Sequence, residues 1–158
     1  MKFPKVSGSN LLRQKQILPA SLQGELNLLF IPFQQWQQRD VDGWVPLARE
    51  IEEARPGFCY YELPTIQRRG WFAETMLNEG MRAGIPNPKT RERTITLYLD
   101  KKAFRRELEI DSEEQITVLL VDRRGTVLWR TTGAYTPEKE GQLRQFLIDY
   151  PSLDGDQS

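Results

Sequence analysis

The sequence predicts an α/β protein: a three-layer sandwich with a mixed central sheet and helices on both faces. Three observations carry this. The runs Leu26–Ile31 and 116–121 are apolar at nearly every position, as strands covered on both faces must be. Residues 26–63 read as strand, helix, strand, which favours a parallel pair joined by a right-handed crossover. Residues 116–147 read as a closing hairpin followed by one more helix.

Taken in order, the chain begins with a lead-in over 3–24, punctuated by Ser, Gly, Asn and Pro, with a short hairpin expected around Leu18-Pro19. Pro32 ends the first buried strand. Val41, Trp44, Val45, Ala48 and Ile51 then keep helical spacing, with Glu50, Glu52, Glu53 and Arg55 on the solvent side. Pro46 falls inside this helix and is expected to kink it, and Pro56-Gly57 stops it. The aromatic-rich run 58–63 is the next strand.

A second helix is expected over 71–81, followed by a loop through Gly84, Pro86 and Pro88. Over 94–99 the chain alternates, placing Ile95, Leu97 and Leu99 on one face of a strand, and a short helix follows over 103–108. In Asp122-Arg123-Arg124-Gly125 the aspartate suits the first turn position and the glycine supplies positive φ. Beyond the turn, simple alternation puts Val127 and Trp129 on one face, with Thr126, Leu128 and Arg130 on the other, near a sheet edge. Thr136-Pro137 starts the last helix, whose buried stripe is Leu143, Phe146, Leu147 and Tyr150. The expected organisation is one domain over 1–150 (lead-in 1–24, core 25–150) and a flexible tail over 151–158.

Composition removes several function classes. The 22 basic residues balance 22 acidic ones, so no net charge draws the chain to nucleic acid or an anionic membrane. With no histidine there is no histidine base, no Ser-His-Asp or Cys-His pair and no imidazole metal site. No phosphate-binding glycine loop and no carboxylate spacing for calcium occurs, so neither cofactor nor metal is expected. No apolar run is long enough for a membrane span, and residues 1–24 lack a secretory h-region, so cytoplasmic residence without membrane insertion is expected. Cys59 is the single cysteine.

The order of elements, with Pro46 inside the first helix, resembles the thioredoxin-like plan. On that register the dithiol of such domains would fall at Gln38-Arg39-Asp40-Val41, where this chain has no sulfur. Glu114-Gln115 stand where a cis-proline would precede the central strand. A narrower resemblance is to the mitochondrial ATP synthase assembly factors that act as chaperones of the membrane-embedded a subunit, and to their bacterial relatives. It is carried by Phe3-Pro4, Gly8 with Leu11, Leu18-Pro19 with Leu22 and Gly24, Phe33, Trp44, and Leu108 with Ile110. The longest piece is Leu120-Val121-Asp122, Gly125, Val127 and Trp129, with Gly133 and Thr136-Pro137-Glu138. Leu128 departs from it, since family members often carry arginine before the hairpin tryptophan. The resemblance implies a non-catalytic protein that helps assemble a membrane complex, associating peripherally with it. Without a visible presequence, the chain reads as a non-organellar relative.

The residues themselves allow two other functional classes. The loop 33–38 occupies the place where this fold presents its chemistry, and holds Phe33, Gln34, Gln35, Trp36, Gln37 and Gln38. Glutamines are neither acid, base nor nucleophile, but they donate and accept hydrogen bonds, and tryptophan offers an amphipathic anchor. A protein-binding surface is therefore expected there, with Arg82, Ile85 and Pro86 as a second lip and Gln115 beside it. The alternative is a one-cysteine redoxin or peroxiredoxin-type enzyme using Cys59, although that residue sits in an apolar strand rather than at a helix N-terminus. Arg68 and Arg69 beside Trp71 and Phe72 are read as solvated surface rather than a nucleic-acid contact, and Lys101, Lys102, Arg105 and Arg106 as a solvated helix face.

Overall fold

The computed structural model describes residues 1–68 and 93–150. Within them the chain runs β1 (Val6–Asn10), β2 (Lys15–Leu18), β3 (Leu26–Ile31), a 3-10 turn (Gln35–Gln37), α1 (Gln38–Ala54) and β4 (Phe58–Glu62). It continues through β5 (Thr65–Gln67), β6 (Ile95–Leu99), α2 (Lys101–Glu107), β7 (Thr117–Asp122), β8 (Val127–Thr132) and α3 (Pro137–Asp149). The helix expected over 71–81, the loop after it and the tail lie outside the described residues.

Because β3 and β7 are apolar on both faces, they can only be central. They are: β4, β3, β7 and β8, in that order, form a mixed sheet in which β3 runs parallel to β4 and antiparallel to β7. One face of this sheet sends Leu28, Phe30, Tyr60, Val118 and Leu120 against Val41, Trp44, Leu47, Ala48 and Ile51 of α1 and Leu143 and Leu147 of α3. The opposite face sends Leu29, Ile31, Leu119 and Val121 against Leu97 of β6 and Phe104 of α2. Helices therefore lie on both faces.

The second face is shared with a further sheet, of order β2-β1-β6-β5, that the lead-in builds. The hairpin expected around Leu18-Pro19 instead turns over 11–14. There the Asn10 side chain accepts hydrogen bonds from the backbone N–H groups of Leu12 and Gln14 at 3.0 Å each. Polar, glycine-containing sequence read as punctuation because β1 buries little, whereas backbone pairing to β6 holds it in place.

Local chemistry sets the remaining boundaries. Asp100 caps α2 through Lys102 and Ala103, and Thr136 caps α3 through Lys139, with Pro137 first in the helix. Gly125 adopts φ +86°, and Asp122 Oδ1 receives the N–H groups of Arg124 and Thr126. Strand β8 corrects the alternation argument. A bulge between its pairings to Leu120 and Val121 inserts Leu128, so Leu128 and Trp129 both pack toward α1 and α3 while Val127 packs on the opposite face.

Candidate functional site

The C-terminal ends of β3 and β4, the start of β7 and the end of β8 meet at one end of the central sheet, and α1 begins there. Two hydrogen bonds at Gly133 fix this end. Gly133 adopts φ +84° and donates its N–H to Ile116 O at 2.9 Å. The fully buried indole of Trp44 donates Nε1–H to Gly133 O at 3.0 Å. A side chain on Gly133 would crowd Lys139 and reach Gln115, which places Gln115 beside that turn.

Of the residues expected to form a partner surface, the structure separates two kinds. Gln34, Gln35, Trp36, Gln38 and Gln115 are exposed, Trp36 at 50%. Phe33 is 4% exposed and belongs to the core between the two sheets. Gln37 is fully buried at 0%. Its Oε1 accepts from Phe33 N at 2.8 Å and Gln34 N at 3.2 Å, while Nε2 donates to Glu113 O at 2.7 Å. Phe33 and Gln37 thus shape the loop from beneath and offer no surface to a partner. Arg82, Ile85 and Pro86 lie outside the described residues, as does Arg69. Arg68 donates to Tyr98 O at the end of β6.

The basic group on α2 is not simply solvated, as its composition suggested. Lys101 Nζ donates to Phe33 O at 2.8 Å and pairs with Glu113 at 3.3 Å. Arg105 reaches Glu113 at 3.1 Å and also donates to the carbonyls of Ile110 and Asp111. Together with Gln37, these residues tie loop 33–37 to segment 110–114. Above the knot stands Trp36, with the Arg39 guanidinium 5.6 Å from its ring centre, a cation–π arrangement.

At the positions corresponding to the dithiol, Val41 is buried and Gln38 and Arg39 are exposed. Gln38 Nε2 donates to Asp42 Oδ1 at 3.0 Å and to Glu62 Oε1 at 2.9 Å. Glu62 is only 8% exposed. Burial raises its carboxyl above the usual range, the Gln38 bond opposes this, Asp42 adds to it and Arg93 opposes it. Sequence reading passed over Glu62; the signal was a carboxylate closing an otherwise apolar, aromatic strand.

Cys59 stands elsewhere. It lies three residues before Glu62 on β4, about 10 Å along the strand, and packs toward the opposite face, partly buried. Burial pushes its thiol up, Glu52 adds to this and Arg93 opposes it. The cis peptide bond among the described residues joins Leu18 to Pro19. It sits against the Gly125 turn, at the other end of the sheet from Gln115.

No family model and no curated protein matches this sequence. Solved structures do. The exposed lipoprotein thioredoxin of Streptococcus pneumoniae aligns at 15% identity and TM-score 0.56, covering 92% of this chain and 99% of that one. BsSco, of the Sco family of cytochrome c oxidase assembly proteins, aligns at 12% identity and TM-score 0.58, covering 94% and 95%. The thioredoxin domain of a Bacteroides vulgatus thiol-disulfide oxidoreductase aligns at 14% identity and TM-score 0.58, covering 92% and 95%. The chain has a thioredoxin-like fold. Likeness at this level establishes the scaffold, and the functional reading has to come from the site.

Proposed function

We propose that this protein works by binding another protein and performs no thiol chemistry, using the surface around Trp36 where thioredoxin-like domains carry a dithiol. One observation carries the reading: the start of α1 holds an exposed tryptophan among exposed amides, buttressed by buried Gln37, while the lone thiol lies on another strand position and another face. Trp36 supplies apolar area with a polar edge, and Gln34, Gln35 and Gln38 supply donors and acceptors suited to a peptide backbone. Its role as a helper in assembling a membrane complex such as ATP synthase is drawn from the sequence resemblance, and its cytoplasmic residence from the lack of a secretory h-region in residues 1–24. That a solved structure of the same fold belongs to a family of cytochrome c oxidase assembly proteins supports the idea that the scaffold suits such work. Among the described residues no helix is long and apolar enough to cross a membrane.

The competing reading is a one-cysteine thiol enzyme, favoured by the partial exposure of Cys59 and by the thiol-disulfide oxidoreductases among the similar folds. Thiol labelling of the native protein separates the two. A raised thiol leaves less thiolate at neutral pH than free cysteine has, so Cys59 is expected to react more slowly than a free thiol and to gain rate only on the alkaline side. Reaction faster than free cysteine at neutral pH would instead establish the enzyme reading.

A further inference from the structure

The chemistry at the start of α1 that remains unassigned is the Glu62, Gln38 and Asp42 bridge. A glutamine side chain has one amide NH₂ and one carbonyl, whereas ionised carboxylates only accept. With both acids ionised, Gln38 must present its NH₂ to both, as it does at 3.0 and 2.9 Å. The two acids are not equivalent: Asp42 is exposed on α1, and Glu62 is buried at the end of β4. The cationic group near Glu62 among the described residues, Arg93, is already engaged. It makes a two-pronged pair with Glu52 at 3.0 and 3.1 Å, donates to Tyr60 O, and lies 3.9 Å over the Tyr60 ring. On β3, the residue paired with Glu62 is the apolar Phe30. Among the described residues, Gln38 donates the side-chain hydrogen bond to the buried carboxylate.

We propose that Glu62 and Gln38 form a proton-operated latch on the first turn of α1. With Glu62 ionised, the Gln38 NH₂ is held between the two carboxylates. When Glu62 takes up a proton, its O–H becomes a donor, the Gln38 amide turns to present Oε1 to it, and the shared grip on Asp42 is released. Gln38 is two residues from Trp36 and is itself exposed, so the latch sets the pattern of donors and acceptors on this surface. The burial of Glu62 and the nearby Asp42 place this change at less acidic pH than an ordinary glutamate requires.

The latch stands apart from the binding reading and is tested without a partner. The Gln38 side-chain amide resonances of the full ¹⁵N-labelled chain are followed from about pH 8 to about pH 4. The expected result is an inflection above the ordinary glutamate value that disappears in Glu62→Gln and moves to lower pH in Asp42→Asn, where one source of the upward shift is gone. Asp42 is exposed, so its variant keeps the test available if Glu62→Gln does not fold. A Gln38 amide that titrates no higher than ordinary glutamate, an inflection that survives in Glu62→Gln, or one that does not move in Asp42→Asn would overturn the proposal.

Discussion

Replacing Gln37 with alanine tests how the candidate surface is held. The side chain is fully buried and makes three hydrogen bonds, two received from the backbone of Phe33 and Gln34 and one given to Glu113 O. Each contributes about 1 kcal/mol net, and truncation also leaves backbone donors and a carbonyl without partners in a region closed to water. The expected loss is about 3 kcal/mol. With a urea slope of about 2 kcal/mol/M, the unfolding midpoint falls by about 1.5 M. Gln37→Glu keeps the acceptor but sets a buried carboxylate oxygen against Glu113 O where an N–H stood, so at neutral pH its loss is expected to be at least as large as that of the alanine variant. Circular dichroism through a urea series reads both. A fall of less than about 0.5 M for the alanine variant, with unchanged slope, would refute the claim that this amide organises the loop.

Two further outcomes follow from buried polar groups. Thr117 Oγ1 is buried with no hydrogen-bond partner among the described residues, so Thr117→Val should stabilise the protein by about 1 kcal/mol. That gain would appear as a rise of about 2–4 °C in thermal midpoint, and a fall would contradict it. Glu62 has a folded-state pKa raised by burial, so the native state favours its protonated form, and this contribution is lost as pH rises through the raised value. Glu62→Gln should therefore gain stability relative to the natural chain at neutral pH. The difference should vanish once the pH falls below the ordinary glutamate value of 4.5. A difference independent of pH would show that the buried charge is not its source.

Much of the scaffold is legible in the residues because one signal dominates there. The nearly continuous apolar runs of β3 and β7 can be satisfied only by cover on both faces, and Thr136-Pro137 carries its own capping chemistry. What escaped the sequence depended on pairing or on distant partners. β1 gains its place from backbone bonds to β6, which composition does not encode. The bulge at Leu128 shifts which side chains of β8 share a face, and no alternation rule contains it. Gln37 looks like its neighbours in sequence, yet it alone of the loop glutamines turns inward, because Glu113, 76 positions away, offers the carbonyl it needs. Lys101 and Arg105 escaped for the same reason: their partners are set by the fold.

The central claim is that this chain acts through the Trp36 surface and not through its thiol. Its most direct test compares capture of interacting proteins from the native host by the natural chain, by Trp36→Ala and by Cys59→Ser, each first shown to unfold at a similar temperature. The expected result is that Cys59→Ser retains the partner captured by the natural chain while Trp36→Ala loses most of it, as removal of an aromatic anchor worth about 2 kcal/mol or more would require. Retention by Trp36→Ala together with loss by Cys59→Ser would contradict the account.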